Sequence, residues 1–367
     1  MRIERIELIH IRMPLVGAFR TSFGIDLVRD TFLLRVLTSD GGQGWGEYGG
    51  DPDPAYSSEF SAGTEIVLAE HLIPRLDREV TAARVGPAVR GVKGHRMAKA
   101  VLETAILDAE LRSYGMPLRT YLGSVVDRVP AGVSVGIMDT IPQLLEQVGA
   151  YLEAGYVRIK LKIEPGWDVL PVRAVREAFG DDVPLQVDAN TAYSLTDARH
   201  LRRLDEFGLL LIEQPLDTDD LSGHARLAGL IDTPVCLDES IGSARDAAAA
   251  IAMGACSIIN IKPSRVGGYL EARRIHDVAA AAGVPVWCGG MLETGVGRAA
   301  NLALAALPGF VLPGDTSASN RYYAEDLTEP FVLDADGCVA VPTGTGIGVT
   351  PDPQVLERYT VARRRLL

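Results

Sequence analysis

The feature that most constrains the fold of this chain is an alternation of short β-rich runs and helical runs that begins at Val129. The helical runs, rich in Ala, Leu and Arg, separate most of the β-rich runs, a pattern typical of parallel strands joined by crossover helices. The β-rich runs are VPAGVSVGI, YVRIKLKI, VPLQVDAN, LLLIEQPL, PVCLDES, SIINIKPS, VPVWCGG and FVLPGD. Eight strands are the number that closes a barrel. An open doubly wound sheet would alternate in the same way, but it usually contains fewer strands.

The segments on either side of this repeat have a different texture. Before it, Thr31 to Glu47 predicts a hairpin around Asp40, and Met97 to Tyr114 carries apolar residues at helical spacing. After it, the chain returns to short, turn-rich strand pieces. We therefore predict three parts: an α+β capping domain at residues 1–125, a barrel at 126–330, and a C-terminal segment at 331–367 that packs back on the capping domain.

Charged residues interrupt the apolar strand runs at nearly constant intervals. They are Lys162, Asp188, Glu213, Asp238 and Lys262, and the successive intervals are 26, 25, 25 and 24 residues. One βα unit is about that long, so we expect these side chains at the C-terminal ends of five successive strands, where barrel enzymes carry their chemistry. Most charges on a protein are solvated surface, but an unpaired ion inside an apolar strand is costly to desolvate. A structural network of ion pairs at the barrel rim is the remaining alternative.

Three of these residues are carboxylates on adjacent predicted strands, with no clustered His or Cys. Such oxygen donors suit Mg²⁺, or Mn²⁺ or another divalent cation, better than zinc. Lysines flank them on both sides, Lys160 and Lys162 on one and Lys262 on the other. A neighbouring cation lowers the pKa of a lysine and lets it act as a base, and a metal that holds a carboxylate stabilises the enediolate formed when the α-proton leaves. The pattern predicts a proton-abstraction site.

Composition narrows the class of partner. The 367 residues are 47% hydrophobic and 23% charged, which is typical of a folded protein, and 36 basic against 48 acidic residues give a net charge of −12. This balance argues against nucleic acid or an anionic membrane as a partner and leaves room for divalent cations and small substrates; the small-molecule carboxylate substrate is expected from the lysines and the metal site. The start lacks a signal-peptide pattern, and no run is apolar enough to span a membrane. The four cysteines show no CxxC spacing, so we expect reduced thiols and a cytoplasmic protein: Cys236, Cys256, Cys288 and Cys338.

Seven ordered segments resemble the enolase superfamily, in its muconate-lactonising-enzyme-like branch, and within it the o-succinylbenzoate synthases that are also N-succinylamino acid (N-acylamino acid) racemases. The segments are RIKLKIEPG, QVDANTAY, LIEQPL, LDES, NIKPSRVGG, GGMLETGVGRAAN and LPGDTSAS. The similarity extends from MPL near the start to PTGTG near the end. It implies a modified TIM barrel, (β/α)7β, with an N-terminal α+β capping domain, and an assembly of identical subunits.

The resemblance also implies roles for individual residues. Asp188, Glu213 and Asp238 would hold the metal, with Glu239 supporting them from behind. Lys162 would be the base on one face of the substrate, Lys262 its partner on the other, and Lys160 an electrostatic helper. The implied substrate contacts are Ser134, Asn190, Gly290, Met291, Phe23 and Tyr56.

Several of these contacts have an alternative explanation. Ser134 either meets the substrate or caps its neighbour, and Asn190 either touches the substrate or holds the metal site. Phe23 and Tyr56 either cover the substrate or pack as ordinary loop residues. His276 lies in a helical run, EARRIHDVAAA, and is expected on a helix surface rather than as the base that the mandelate-racemase branch carries on a late strand.

The implied reactions are the dehydration of a cyclohexadiene carboxylate to o-succinylbenzoate in menaquinone biosynthesis and the racemisation of N-succinylamino acids. They share the first proton abstraction, so both remain open as lyase and isomerase activities of one site. A muconate cycloisomerase or a dipeptide epimerase of the same superfamily is the alternative within enzymes, although LPGDTSAS lacks the DxD element of the epimerases. A catalytically inactive small-molecule binding protein is the alternative outside them.

Overall fold

The structure is a computed structural model that describes residues 1–367. Its N-terminal part begins with a three-stranded antiparallel meander, in which alternate side chains of the first strand are largely buried. The strands are β1 (Ile3–Thr21), β2 (Gly24–Thr38) and β3 (Gln43–Glu47). The β1–β2 hairpin is long, and its pairing shifts register between Pro14 and Phe19 before it turns at Ser22. This register shift separates the hairpin tip from the body of the sheet.

Four α-helices follow the meander. They are α1 (Ser61–Ile66), α2 (Ala82–Val89), α3 (Arg96–Ser113) and α4 (Leu118–Leu122). The longest of them, α3, packs on β2 and β3. The predicted helix over Met97 to Tyr114 is confirmed as α3. It lies so close to β3 that a Cβ on Gly44 would come within 2.2 Å of the Ala105 carbonyl oxygen, so glycine is required there.

The central part is a curled sheet of seven parallel strands whose spatial order follows the chain. A short strand, β4 (Arg128–Pro130), precedes it. The seven strands are β5 (Gly132–Val135), β6 (Arg158–Lys162), β7 (Leu185–Asp188), β8 (Ile212–Glu213), β9 (Val235–Leu237), β10 (Ile258–Ile261) and β11 (Val286–Cys288). Helices cross between them: α5 (Ile141–Glu153), α6 (Val169–Phe179), α7 (Ala198–Leu201), α8 (Leu221–Ala228), α9 (Ala244–Met253), α10 (Pro263–Val266) and α11 (Tyr269–Ala281). Together with the separate antiparallel sheet, this is the predicted modified-barrel class.

The eighth predicted strand, FVLPGD, is not a regular strand. After α12 (Gly295–Ala305), Phe310 and Gly314 make single parallel bridges, the first to Val286 of β11 and the second to Ala131 beside β5. Pro313 lies between these bridges and has no N–H to donate, which explains why no continuous ladder forms. The seven-stranded sheet is therefore closed by irregular chain.

The C-terminal segment returns to the N-terminal part. After β12 (Cys338–Ala340), which pairs with β4, and α13 (Pro353–Tyr359), the strand β13 (Thr360–Arg365) pairs antiparallel with β1 at the edge of the first sheet. The predicted domain boundaries at 125/126 and 330/331 stay predictions. The four cysteines form no disulfide. None of the helices combines the length and apolar character needed to cross a membrane.

The expectation for His276 was wrong. This residue is buried rather than on the helix surface: its ring stacks on Phe310, and its Nε2 accepts a hydrogen bond from the Gly309 N–H at 3.1 Å. It therefore holds the irregular closing segment at Gly309 and Phe310 against α11.

Candidate active site

The charged residues that recur along the chain meet at the carboxyl ends of the parallel strands. Lys162, Asp188 and Glu213 occupy paired positions on β6, β7 and β8, because the register places Lys162 beside Asp188 and Asp188 beside Glu213. Asp238 follows β9 directly, and Lys262 follows β10. All five side chains are buried. The chain has only five lysines among its 36 basic residues, and three of them lie at this rim.

Lys160 lies deepest in the cluster. Its Nζ is 2.6 Å from Asp315 Oδ2, 3.0 Å from Glu213 Oε2 and 3.2 Å from Asp188 Oδ2, and it stands 4.8 Å from the ring centre of Trp287. Burial alone would lower the pKa of Lys160, but the three carboxylates outweigh burial and raise it above its ordinary value. The carboxylates thus favour the cationic form of Lys160, and its electrostatic role in catalysis stays a prediction.

Lys162 has a different environment. Its Nζ is 2.6 Å from Asp188 Oδ2 and donates to Asn190 Oδ1 at 2.5 Å. Burial lowers the pKa of Lys162 below its ordinary value, and the attraction of Asp188 does not restore it. Burial would raise the pKa of Asp188, but the charges of Lys162 and Lys160 outweigh it and hold this pKa well below its usual range.

Asn190 joins the two sides of the site. Its backbone lies in the left-handed region (φ 42°), a conformation that Asn tolerates better than most residues, and its N–H donates to Asp188 Oδ1 at 3.1 Å. Its side-chain amide accepts from Lys162 and donates to Glu239 Oε1 at 3.0 Å. Burial raises the pKa of Glu239 to about 7. Asn190 therefore links Glu239 to Lys162, and the supporting role of Glu239 stays a prediction.

Lys262 lies on the other side of the carboxylates. Its Nζ is 2.7 Å from Asp238 Oδ2, in an ion pair without hydrogen-bond alignment, and it donates to the Tyr56 hydroxyl at 3.1 Å. Burial would lower the pKa of Lys262, but the electrostatic attraction of nearby acidic groups, chiefly Tyr56 and Glu239, raises it above its ordinary value. Arg265 forms a second ion pair with Asp238. The two flanking lysines thus differ in their electrostatic surroundings.

The predicted metal ligands suit a divalent cation in chemistry, but not in their present arrangement. No three His, Cys, Asp or Glu side chains of the structure are positioned to hold a metal ion. Lysine and arginine groups contact Asp188, Glu213 and Asp238 instead. The donors are nevertheless all buried oxygens at neighbouring strand ends. Asp238 Oδ2 and Glu239 Oε2 receive no hydrogen bond. A hard divalent cation fits this donor set once the lysine contacts rearrange.

A small cavity of about 60 Å³ opens onto the lysines. Its wall includes Phe23, Tyr56, Asn190, Gly290 and Met291, so five of the six predicted substrate contacts line one space. Phe23 and Tyr56 come from the capping domain, and their ring centres are 5.9 Å apart. This volume is well below that of a typical small-molecule site, so the cavity as it stands is too small for a substrate of ordinary size.

Ser134 is the predicted contact that does not line this cavity. It is buried on β5 beside Lys160 of β6, and its hydroxyl has no hydrogen-bond partner. It therefore does not cap a neighbour, and its role as a substrate contact stays a prediction.

Sequence reasoning gave no role to several residues that hold the cluster together. Asp315 binds Lys160, Asn260 donates to Glu213 Oε1 at 2.5 Å, and Gln214 accepts from the Asp238 N–H at 3.0 Å. Each is a polar residue within or directly after a β-rich run, which is the signal that could have identified them. Their intervals do not follow the 25-residue spacing, so the repeat did not single them out.

Comparisons with known proteins agree with this geometry. Residues 5–123 match the sequence model of the mandelate racemase / muconate lactonizing enzyme N-terminal domain, and residues 143–355 match the enolase C-terminal domain-like family. The chain is 64% identical over 365 residues to an N-succinylamino acid racemase of an Amycolatopsis species, covering 99% of both chains. It is 48% identical over 362 residues to an o-succinylbenzoate synthase of Geobacillus kaustophilus, covering 98% of this chain and 96% of the relative. A solved enolase-superfamily structure from Listeria innocua superposes with a TM-score of 0.95 at 39% identity, covering 100% of this chain and 99% of the other.

Proposed function

Because the chain belongs to the mandelate racemase / muconate lactonizing enzyme family of the enolase superfamily, we propose that it is an o-succinylbenzoate synthase, an N-succinylamino acid racemase, or both. In either reaction the first step removes a proton from the carbon next to a carboxylate. Relatives with these two names are 42–64% identical to it over nearly the whole chain. The dehydration would serve menaquinone biosynthesis.

One observation carries the proposal: Lys162 and Lys262 line the same cavity from β6 and β10. The strand order places β7, β8 and β9, with the three carboxylates, between them. A substrate carboxylate held at the centre would therefore present its α-carbon to an amine on each side. Proton removal on one face and proton return on the other is the chemistry that such an arrangement supports.

In the racemase reaction, Lys162 takes the α-proton, and the electrons of the broken C–H bond move into the substrate carboxylate to form an enediolate. Lys262, as an ammonium ion, gives a proton to the opposite face, and the two lysines exchange roles for the other enantiomer. The permanent positive charge of Lys160 lies behind the carboxylates and stabilises the added negative charge.

In the synthase reaction, the first half is the same, but the intermediate expels hydroxide from the neighbouring carbon and becomes aromatic. No proton has to be returned to the α-carbon. Lys262 then acts only as a cation that stabilises the intermediate, so the two reactions differ in what they require of this residue.

Asp188, Glu213 and Asp238 are the residues that would hold Mg²⁺ or another divalent cation. A cation bound there supplies positive charge for the substrate carboxylate and so makes its α-proton more acidic. Asn190 and Glu239 keep Lys162 oriented toward the α-carbon. Phe23 and Tyr56 exclude water from above, and the loop at Gly290 and Met291 lies beside the acyl group. These roles, a cytoplasmic location and a homo-oligomeric assembly belong to the proposal.

The test is turnover of two substrate classes by the same preparation with added Mg²⁺. With each enantiomer of an N-succinylamino acid in heavy water, we expect deuterium to enter at the α-carbon, and proton NMR measures this exchange. With the cyclohexadiene carboxylate, we expect o-succinylbenzoate to form, and its absorbance measures the rate. Exchange without inversion, or binding without exchange, would contradict the racemase reaction, and the absence of both activities would favour the binding-protein alternative.

A further inference from the structure

The capping domain contributes two carboxylates to the wall of the cavity. Asp26 lies on β2, directly opposite Phe19 of β1 in the hairpin, and Asp51 follows β3. The only other charged residues in this wall are Lys162 and Lys262. The cavity therefore has a basic side, formed by the barrel strands, and an acidic side, formed by the capping domain.

Three of these four charges are already paired. Lys162 contacts Asp188, and Lys262 contacts Asp238. Asp51 Oδ1 is 3.1 Å from a guanidinium nitrogen of Arg29, a buried residue that lies behind it. Each of these charges has an opposite charge within the protein.

Asp26 is different, because its carboxylate makes no hydrogen bond and no ion pair in the structure. It is partly buried, and burial raises its pKa; the charge of Asp51 adds to this effect, and the charge of Arg29, which pairs with Asp51, only partly offsets it. A half-buried carboxylate next to a second carboxylate is destabilised unless a cation approaches it. The open side of Asp26 faces the cavity in which the substrate would react.

We propose that Asp26, supported by Asp51, selects N-acylamino acids whose side chain ends in a cation, such as an ammonium or guanidinium group. This inference rests on the proposed racemase reaction and names the substrate class that the site would prefer. The reacting carboxylate would lie on the basic side of the cavity and the cationic end of the side chain on the acidic side.

The rings that line the cavity suit the rest of such a side chain. Phe19, Phe23 and Tyr56 line the same cavity as the two lysines and the two carboxylates. Long basic side chains place their methylene groups along apolar surface and their charged end at a polar group. A side chain ending in a carboxylate would instead meet Asp26 as a like charge. The same repulsion would disfavour substrates with a second negative charge at this end.

The main alternative role for Asp26 is to bind a neutral donor, because its carboxylate could also accept a hydrogen bond from the N–H of the acyl amide. The two explanations separate with pairs of substrates that share the acyl amide and differ only in the charge at the end of the side chain. N-succinyl-lysine is matched by N-succinyl-2-aminoheptanoic acid, in which a methyl group replaces the ammonium group. N-succinyl-arginine is matched by N-succinyl-citrulline.

The experiment measures kcat/KM for α-deuterium exchange with both pairs, using the wild-type protein and Asp26→Asn. We expect the wild type to favour the cationic member of each pair about tenfold, as a partly desolvated ion pair would allow. In Asp26→Asn, kcat/KM should fall for the two cationic substrates and not for their neutral partners, so the preference should disappear. Asp30→Asn is the matched control, because Asp30 lies on the same strand but pairs with His10 and Arg12 instead of facing the cavity.

Equal kcat/KM for both members of each pair in the wild type would overturn the inference and leave the proposed racemase reaction intact. An equal loss for all four substrates in Asp26→Asn would show a structural role and would also overturn it. If none of the substrates exchanged their α-hydrogen, the racemase reaction itself would fall, and the inference with it. The wild-type comparison stands even if the variant does not fold.

Discussion

Glu47, the last residue of β3 in the capping domain, accepts two hydrogen bonds from Thr294 of the barrel. Oε1 accepts from the Thr294 N–H at 2.9 Å and Oε2 from its hydroxyl at 2.7 Å, and Oε2 also accepts from the Gly297 N–H at 2.9 Å. Glu47 therefore caps α12, the helix that follows the loop at Gly290 and Met291. A capping-domain residue thereby holds the start of a barrel helix next to the cavity.

Replacing Glu47 by Ala should destabilise the fold by about 2 kcal/mol, because two buried N–H groups at the start of α12 lose their acceptor. We expect KM for the succinyl substrates to rise more than kcat falls, since the loop at Met291 would lose its fixed position. Urea unfolding and steady-state kinetics measure the two effects. Glu47→Gln keeps one acceptor and should lie between wild type and Ala; an Ala variant as stable as the wild type would contradict the capping role.

Lys262→Arg should separate the two proposed reactions. Arginine keeps the positive charge that the dehydration requires, but it does not give up a proton near neutral pH. We therefore expect racemisation to fall by about 100-fold or more, as loss of a general acid–base group typically causes, and dehydration to fall much less. Lys93→Arg, outside the cavity wall, is the control. Equal losses in both reactions would contradict the division of roles at Lys262.

Mg²⁺ should raise the melting temperature of the protein, because a cation that binds only the folded state stabilises it by mass action. Glu213→Gln should abolish most of this rise, since it removes a carboxylate from the three that would hold the ion. Thermal denaturation with and without Mg²⁺, after treatment with a chelator, measures the effect independently of activity. A rise of the same size in Glu213→Gln would show that the ion binds elsewhere.

Glu103 predicts a pH dependence of stability that is separate from catalysis. This buried residue of α3 accepts the Leu270 N–H at 3.0 Å, and burial raises its pKa to about 8. A carboxyl whose pKa is higher in the folded state stabilises the fold at low pH, and this contribution is lost as the pH rises from about 4.5 through 8. Glu103→Gln stays neutral, so its stability relative to the wild type should increase between pH 5 and pH 9. A difference that does not change with pH would contradict this assignment.

The regular part of the site could be predicted from the sequence because βα units have nearly constant length. The spacing from Lys162 to Lys262 placed the strand ends correctly, and the register of β6, β7 and β8 shows why a constant interval brings these side chains side by side. The same argument cannot reach Tyr56, whose hydroxyl meets Lys262 from another domain. Its assignment came from the family resemblance, and its role in substrate binding stays a prediction.

The irregular part of the fold was harder to predict from the sequence. The segment FVLPGD has the apolar character of a strand, but Pro313 interrupts its pairing and leaves only single bridges. Asp315, the last residue of this segment, could not be assigned to Lys160 without knowing how the chain closes the barrel. His276 was misplaced because its helix looks amphipathic in sequence, whereas the closing segment at Phe310 covers it. In each instance, contacts between parts of the chain that do not follow the repeat decide the outcome.

The central claim is that Lys162 and Lys262 serve opposite faces of one substrate, and enantiomer-resolved exchange in heavy water tests it most directly. Lys162→Ala and Lys262→Ala are each incubated with the separate L and D forms of an N-succinylamino acid, and α-deuterium is followed by NMR. We expect each variant to lose racemisation, to keep exchange with one enantiomer and to lose it with the other, with opposite preferences in the two variants. If both variants kept exchange with the same enantiomer, or if either still racemised the substrate, the two lysines would not be the opposed acid and base.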